Sequence, residues 1–174
     1  MSAAPLADDR YNPVMLRTPD VTVAAVTETD GRFLLVEERI NRQLVFNQPA
    51  GHVERGETLL AAIVREVQEE TAWQFEPQAL VGVYSWRNPQ HGRSFLRFAF
   101  TGAVRGHDPQ ARLDRGIVAT HWLSHAQLKE RETRLRSPLV MRCVEDYLGG
   151  VRRQLAPIAH LDLGAALTVE ALAI

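Results

Sequence analysis

A helical segment at residues 58–71 places three glutamates beside an apolar stripe, and no other feature limits the fold of the chain as much. At about 100° per residue, the apolar side chains of this segment form one stripe: Leu59, Leu60, Ile63, Val64 and Val67. Glu66, Glu69 and Glu70 follow an i, i+3, i+4 spacing and share one side of the helix. Glu70 projects inside the apolar arc. We therefore expect at least one carboxylate at the edge of the core.

Three carboxylates this close repel one another and need compensation. Side chains one helical turn apart lie about 5–6 Å from each other, and two charges at that distance repel by about 3 kcal/mol at an effective dielectric constant near 20. Either one glutamate keeps its proton and becomes a base with a raised pKa, or a cation binds among them. Oxygen ligands favour Mg²⁺, with Mn²⁺ as a substitute, over zinc. A solvent-exposed acidic helix is the alternative if these residues are considered alone.

The loop before the helix adds further residues at a defined spacing. Gly51 and Gly56 bracket a tight turn, and five residues separate Gly51 from Glu57. Glu57 stands near the start of the helix, where a negative charge is favourable. Seven residues separate Glu57 from Arg65, which adjoins Glu66 and can hold its carboxylate through a charge-assisted hydrogen bond.

Taken together, this spacing resembles the Nudix box, the signature of hydrolases that cleave phosphoanhydride bonds in nucleoside diphosphates linked to another group. The pattern departs at Ala72, where the family has glycine after the helix, and Trp73 is bulkier than the usual aliphatic residue. We expect Ala72 either to adopt a left-handed cap at a cost of about 1 kcal/mol or to change the exit of the helix.

The resemblance covers about residues 20–155, because flanking segments are similar to one bacterial phosphatase subfamily of the Nudix enzymes. These segments are Val21–Ala24, Phe46–His52, Phe95–Phe98 and Leu135–Val140. The resemblance implies an α/β (α+β) Nudix fold, in which a mixed β-sheet lies between helices and the box forms a loop-helix-loop. It also implies Mg²⁺-dependent hydrolysis of small pyrophosphates with release of orthophosphate. The implied substrates are nucleoside tri- and diphosphates and thiamine-pathway pyrophosphates such as hydroxymethylpyrimidine pyrophosphate.

The resemblance also implies roles for residues of the box. The implied metal ligands are Glu66, Glu69, Glu70 and the backbone carbonyl of Ala50. Glu66 serves either as a ligand or as the base that activates water. In this hypothesis Arg65 orients Glu66, and Glu57 braces the loop through Arg65 or through waters on the metal.

Many Nudix enzymes take one more acidic ligand from a loop before a later strand. Here Gly116 precedes Ile117, and Asp114 lies two residues further back. Asp114 is a candidate for that ligand, with a turn-forming role as the alternative.

Four residues are candidates for substrate contact: Arg97, Phe46, His52 and Trp86. Arg97 could bind a phosphate, although a solvent-facing strand arginine would look the same in the sequence. Phe46 and Trp86 flank the loops nearest the box and could stack on a heterocyclic ring or pack in the core. His52 could contact a phosphate or form hydrogen bonds only within its loop.

Apolar alternation predicts several strands besides the box helix. Val21–Thr27 and Phe33–Val36 are joined through Asp30-Gly31 and predict a β-hairpin. Further strands are predicted at residues 44–46, 79–86 and 94–104.

A second helix is predicted near the end of the domain. Ser137 is suited to the N-cap, Pro138 to the first helical position, and Gly149 ends the helix. Cys143 lies on or beside its apolar stripe and is expected to be a buried structural thiol.

The length of 174 residues predicts one Nudix domain at residues 20–154, with a flexible N-terminal arm at 1–19 and a C-terminal extension at 155–174. A net charge of −1 gives no electrostatic basis for binding a nucleic-acid polymer or a membrane surface, whereas a small anionic ligand is compatible with it. One cysteine excludes an internal disulfide and favours a cytoplasmic location. The apolar C-terminal tail, residues 161–174, could pack on its own domain or on a partner subunit. Both a monomer and a homodimer are therefore compatible with the sequence.

Two alternatives to the phosphatase are compatible with the same motif. One is another Nudix pyrophosphohydrolase, acting on nucleoside triphosphates, ADP-ribose or sugar nucleotides. The other is a non-catalytic Nudix module that binds a nucleotide. The intact box carboxylates argue against the second alternative.

Overall fold

The computed structural model describes residues 18–155 and residue 158, and it confirms the α+β class with a mixed sheet between helices. The strands are β1 (Asp20–Ala25), β2 (Glu28–Thr29), β3 (Arg32–Ile40), β4 (Gln43–Asn47), β5 (Ala50–His52), β6 (Gln74–Arg87), β7 (Ser94–Arg105) and β8 (Ile117–Ser124). The helices are α1 (Leu59–Thr71), α2 (His125–Glu130) and α3 (Pro138–Leu148), with a 3₁₀ turn at Glu132–Arg134.

The strands form two sheets. The first has the order β5-β1-β7-β6, in which β1 runs parallel to β7 and the other neighbouring pairs are antiparallel. In the second sheet, the long strand β3 pairs antiparallel with β2, β4 and β8. The first sheet is therefore the mixed one, and its edge strand β5 carries the start of the acidic motif.

Helices α1 and α3 pack on opposite faces of the first sheet. Phe100 of β7 joins a buried cluster with Ile63 and Val67 of α1. Its neighbour Ala99 joins a separate cluster with Val140 of α3. Because adjacent residues of a strand point to opposite faces, the two helices enclose the sheet from both sides.

The turn at Asp30-Gly31 forms as predicted, but the strand before it lies mostly in the other sheet. Both turn residues have positive φ, 51° and 73°, as a type I′ turn requires. This turn joins β2 to β3, whereas β1 lies between β5 and β7. The prediction that residues 21–27 and 33–36 form one hairpin is therefore wrong, because a local turn does not determine which partner a buried strand takes.

The other predicted elements are confirmed, with boundaries that shift by a few residues. The strands at 44–46, 79–86 and 94–104 lie within β4, β6 and β7, and the two helices are α1 and α3. Ser137 precedes α3 at the N-cap position but makes no side-chain capping hydrogen bond. The elements β5, β8 and α2 were not predicted, because the two strands lack strict alternation and α2 has six residues.

Cys143 is buried in the α3 cluster, as predicted. Burial raises the pKa of its thiol to about 11, so the reactive thiolate is scarce at neutral pH.

The predicted N-terminal arm and C-terminal extension lie almost entirely outside the described residues. At the boundary, Arg153 and Leu80 exchange two backbone hydrogen bonds of 2.9 Å, and Leu155 packs in the α1 cluster. No helix within the described part of the chain is both long and apolar enough to cross a membrane. The division into residues 1–19, 20–154 and 155–174 stays a prediction.

Helix α1 ends in a strained cap. Thr58 caps its start by accepting a hydrogen bond from Ala61 N at 3.0 Å. At the other end Ala72 is left-handed, with φ 59° and ψ 15°, and its N–H donates to the Gln68 carbonyl at 2.9 Å. Of the two outcomes expected for alanine at this position, the left-handed cap is the one observed. A residue with a Cβ is disfavoured there by about 1–2 kcal/mol.

Replacing Ala72 with glycine is expected to stabilise the protein by about 0.5–1 kcal/mol. Glycine removes the Cβ strain, and this gain exceeds the entropy that glycine adds to the unfolded chain. Urea unfolding followed by circular dichroism measures the difference. The matched control is Ala61→Gly, at an exposed position of the same helix, which should destabilise the protein by about 1 kcal/mol. Destabilisation of similar size by both variants would contradict a strained cap.

Candidate functional site

The loop before α1 packs against the helix because one of its residues has no side chain. Gly51 lies at the centre of β5, opposite Val23 of β1. A Cβ at Gly51 would overlap the Glu66 carboxylate. Glycine at this position therefore lets the backbone of the loop approach the acidic face of the helix.

Arg65 connects this loop to three carboxylates. Its Nε and Nη2 donate to the two oxygens of Glu57 at 2.8 and 2.9 Å. Its Nη1 donates to Glu66 Oε1 at 2.8 Å and to Glu69 Oε2 at 2.9 Å. Nη2 also donates to the His52 carbonyl at 3.0 Å. The predicted contact of Arg65 with Glu66 is present, and Glu57 is connected to the carboxylates of the helix through Arg65.

Glu70 is a buried carboxylate without a positive partner among the described residues. It is 9% exposed, and its Oε2 accepts a 2.8 Å hydrogen bond from Ala50 N. Burial raises the pKa of Glu70 to about 9. The negative charges of Glu66, Glu38 and Asp114 also raise this pKa, whereas the hydrogen bond from Ala50 lowers it. Among residues 18–155, no ion pair involves Glu70. Its predicted position inside the apolar arc of the helix is confirmed.

Glu66 and Asp114 add negative charge to the same region. Glu66 is 8% exposed, and burial raises its pKa despite the opposing effect of Arg65; Glu69 and Asp114 contribute to the rise. The Asp114 N–H donates to the Glu69 carbonyl at 2.9 Å, which attaches the loop before β8 to α1. The Asp114 carbonyl also accepts from Ile117 N at 3.1 Å, so this residue forms a turn as well as bringing charge to the box.

The chemistry of these side chains fits a hard divalent cation, although they are not arranged as a ready-made cage. Buried Glu70 lacks a cationic partner in the part of the chain that the structure describes, and carboxylate oxygens are the ligands that Mg²⁺ and Mn²⁺ prefer. Within the described ranges, no group of three or more His, Cys, Asp and Glu side chains is placed to hold a metal ion. Glu66 and Glu69 both turn toward Arg65. Binding by all three glutamates therefore requires a side-chain rearrangement.

A cavity of about 590 Å³ adjoins β5, and three of the four predicted substrate residues line it. These are Arg97, His52 and Trp86. Arg97 is 8% exposed, and its Nη1 lies 3.4 Å from Gln48 Oε1. A solvent-facing strand arginine is therefore excluded. Trp86 stacks on Phe95 with the ring centroids 5.8 Å apart.

Phe46 lies elsewhere. It is 4% exposed and belongs to the core cluster around α3, and it does not line the cavity. The Arg134 guanidinium covers its ring at 4.7 Å from the centroid, and His121 packs edge-on at 5.4 Å. The predicted stacking of Phe46 on a substrate is therefore wrong, and core packing, the alternative, is observed.

Two charged residues of the cavity wall received no role from the sequence, namely Glu38 and Arg136. The Glu38 side chain is 15% exposed, and its Oε1 lies 3.7 Å from Arg136 Nε. Burial raises the pKa of Glu38, while Arg136, Asn47 and Arg97 act in the opposite direction. One signal was available: Glu37 and Glu38 follow four buried apolar residues in β3, and strand alternation must turn one of them inward.

Comparison with known proteins gives one consistent family. A family model described as NUDIX domain matches residues 16–143. Phosphatase NudJ from Escherichia coli strain K12 is 39% identical over 144 residues, which span 83% of this chain and 93% of that protein. Phosphatase NudJ from Shigella flexneri matches with the same identity and coverage.

Solved structures give the same result for the fold. A NUDIX hydrolase from Nitrosomonas europaea superposes with a TM-score of 0.81 at 44% identity, covering 84% of this chain and 99% of that one. The NUDIX domain of Shewanella oneidensis NrtR, complexed with ADP ribose, superposes with a TM-score of 0.63 at 17% identity, covering 81% and 94%. At that lower identity, the likeness concerns the fold alone.

Glu70→Gln is expected to stabilise the protein in the presence of EDTA, more at pH 8 than at pH 5. Since the pKa of folded Glu70 lies above the ordinary value, its contribution to stability is complete below pH 4.5 and is lost as the pH rises toward about 9. The neutral amide avoids this loss and can still accept from Ala50 N. We expect a gain of roughly 1–3 kcal/mol at pH 8, measured by urea unfolding at both pH values.

Glu69→Gln is the matched control, because the Glu69 side chain is 42% exposed and its charge stays solvated. Its effect should not grow between the two pH values. A Glu70→Gln effect that is equal at pH 5 and pH 8 would contradict the burial argument.

Proposed function

The chain belongs to the Nudix hydrolase family, and from this premise we propose that it hydrolyses phosphoanhydride bonds of small pyrophosphates and releases orthophosphate. The observation that carries the proposal is buried Glu70, which lies against the β5 loop without an ion-pair partner among the described residues. The 39% identity to Phosphatase NudJ over most of both chains supports the phosphatase reaction. The proposed substrates are nucleoside tri- and diphosphates and thiamine-pathway pyrophosphates such as hydroxymethylpyrimidine pyrophosphate.

In this proposal, Arg65 and Glu57 position the carboxylate that meets the attacking water. Glu57 holds Arg65 through two hydrogen bonds, and Arg65 holds Glu66 at 2.8 Å. This series of hydrogen bonds fixes Glu66 on the face of α1 that meets the β5 loop. Glu66 either accepts a proton from the water or serves as a metal ligand. Burial raises the pKa of Glu66, which brings it closer to the value suited to a base at neutral pH.

The proposed metal ligands are Glu66, Glu69, Glu70 and the backbone carbonyl of Ala50, which would hold Mg²⁺, with Mn²⁺ as a substitute. Such an ion would neutralise negative charge on the phosphate oxygens of the substrate. Asp114 is the candidate for a further acidic ligand, because its charge acts on both Glu66 and Glu70.

The cavity beside β5 is the proposed position of the group attached to the pyrophosphate. His52 lines it next to the box, and Arg97 provides a buried positive charge for an anionic substrate. Trp86 offers an aromatic surface at the cavity wall. We propose a small-molecule substrate, with no role for a nucleic-acid polymer or a membrane. A cytoplasmic location, and the choice between monomer and homodimer, stay predictions from the sequence.

Glu66→Gln and Glu70→Gln should each lower turnover by about 100-fold or more while the protein stays folded, because each removes a charge that the chemistry needs. Orthophosphate release with Mg²⁺ measures turnover, and circular dichroism checks the fold. The matched control is Glu54→Gln, at an exposed carboxylate of the same loop that is assigned no role, which should retain near-normal turnover. Near-normal rates in both box variants would rule out this mechanism.

A substrate panel with Mg²⁺ tests the reaction itself. We expect orthophosphate without pyrophosphate from nucleoside tri- and diphosphates, thiamine pyrophosphate and hydroxymethylpyrimidine pyrophosphate, with the two products assayed separately. Pyrophosphate together with a monophosphate, or cleavage confined to ADP-ribose or a sugar nucleotide, would indicate another Nudix pyrophosphohydrolase instead. If no compound is cleaved, the proposal fails in favour of a nucleotide-binding module.

A further inference from the structure

The cavity beside β5 concentrates polar atoms that have no hydrogen-bond partner within residues 18–155. Among the described residues, six buried side-chain nitrogen or oxygen atoms lack a hydrogen-bond partner. Five of them belong to residues that line this cavity: Thr22, Glu38, Asn47, Arg97 and Ser137. Unpartnered buried polar groups each cost about 1–3 kcal/mol and are rare in folded proteins. Five around one cavity therefore leave hydrogen-bonding capacity that water or a polar ligand in the cavity can satisfy.

Four of these five residues are more than nine-tenths buried. Their exposed fractions are 5% for Thr22, 6% for Asn47, 8% for Arg97 and 8% for Ser137. Arg97 comes from β7, Ser137 precedes α3, and Asn47 ends β4. Thr22 comes from β1. Because the four groups are supplied by four separate elements, their convergence is a property of the fold and not of one flexible loop.

The cavity also has an aromatic wall. Trp86 of β6 and Phe95 of β7 lie directly opposite each other in the antiparallel pair, and both line the cavity. Their rings are stacked at an interplanar angle of 24°. Such a surface suits a flat ring, and the volume of about 590 Å³ is in the range of sites for small ligands.

The position of the cavity relates it to the proposed chemistry. Ala50, Gly51 and His52 line one side, and Ala50 is the residue whose N–H binds Glu70. A substrate with its phosphoanhydride at the box can therefore extend its remaining group into the cavity. This step rests on the proposed function.

The polar atoms determine what kind of flat ring fits. An ionised carboxylate is only an acceptor. Among the described residues no donor lies within hydrogen-bond distance of Glu38 Oε1, and Arg136 Nε faces it at 3.7 Å. A ring with an N–H donor satisfies this oxygen, whereas a ring with a carbonyl at the same position places two acceptors together. Arg97 Nε is the complementary unpartnered donor in the same cavity.

We propose that this cavity binds a planar nitrogen heterocycle bearing an exocyclic amino group, and that Glu38 is the residue that selects the amino group. Glu38 has this role through direct contact with the substrate, without taking part in bond cleavage.

Two matched pairs of compounds test the selection: cytidine against uridine diphosphate, and adenosine against inosine diphosphate. Within each pair an amino group is exchanged for a carbonyl at the same ring position. We expect wild-type kcat/KM with Mg²⁺ to favour the amino compound in at least one pair by about tenfold or more. In Glu38→Gln, whose amide can donate as well as accept, this ratio should fall to near one.

Glu37→Gln is the matched control. Glu37 is the neighbour of Glu38 in β3, lies 3.1 Å from His121 Nε2, forms an ion pair with Arg134, and does not line the cavity. The ratio of kcat/KM values for the amino and carbonyl compounds should be the same in Glu37→Gln as in the wild type. A wild-type ratio near one in both pairs, or an unchanged ratio in Glu38→Gln, would overturn the proposal while hydrolysis itself remained.

A binding measurement distinguishes a failure of the Glu38 proposal from a failure of the proposed hydrolase function. The four corresponding nucleoside monophosphates are titrated calorimetrically into wild type and Glu38→Gln. If no diphosphate is hydrolysed, the proposed function fails, and the binding ratios alone decide the role of Glu38. A wild-type preference for the amino member that is lost in Glu38→Gln supports the proposal, and equal affinities contradict it.

A second variant guards against misfolding of Glu38→Gln. Ser137→Ala removes a hydroxyl without any internal hydrogen bond, so its melting temperature should not fall, whereas affinity for the amino monophosphates should drop by about fivefold or more. Ser124→Ala, which removes a side chain that does cap a helix, should instead lower the melting temperature by about 2–4 °C with unchanged affinity. Unchanged affinity in Ser137→Ala would contradict a ligand contact at this position.

Discussion

The Arg65 guanidinium joins the box loop to helix α1, and the arrangement of the acidic residues depends on it. Its five N–H groups make five hydrogen bonds: two to Glu57, one each to Glu66 and Glu69, and one to the His52 carbonyl. Arginine presents five donors in a fixed plane, whereas the ammonium of lysine is a point charge with three donors. One side chain thus sets the positions of three carboxylates that would otherwise repel one another.

Among the described residues, Arg65 makes no hydrogen bond to Glu70. Like Glu70, several side chains of the cavity wall are buried polar groups whose hydrogen-bonding capacity the described residues do not fully satisfy. Across the described part of the chain, buried Glu70 has one backbone N–H as its partner, and Glu38, Asn47, Arg97 and Ser137 carry buried atoms without hydrogen-bond partners. Each such group lowers the stability of the isolated fold. Their concentration around one cavity is the expected trade between stability and function, because the groups become useful when a ligand supplies the missing partners.

The box could be predicted from the sequence because its residues are close in the chain. Spacing alone identified the acidic face, the Arg65–Glu66 contact and the burial of Glu70. The partner of β1 could not be predicted, because Asp30-Gly31 determines a turn and not the sheet in which a buried strand lies. Phe46 was misassigned because an aromatic residue near a loop fits a core and a ligand site equally well. Glu38 was missed because it comes to line one cavity with Arg97 and Ser137 only after distant strands and a helix have packed together.

The central claim is that the acidic face of α1 binds a divalent cation. The most direct measurement is a crystal structure of the protein soaked with Mn²⁺, with anomalous scattering used to locate the ion. We expect an anomalous peak within coordinating distance of carboxylate oxygens of both Glu66 and Glu70, with Glu57 still bound to Arg65. A well-resolved structure in which these side chains point into solvent, with no anomalous peak beside them, would contradict the account.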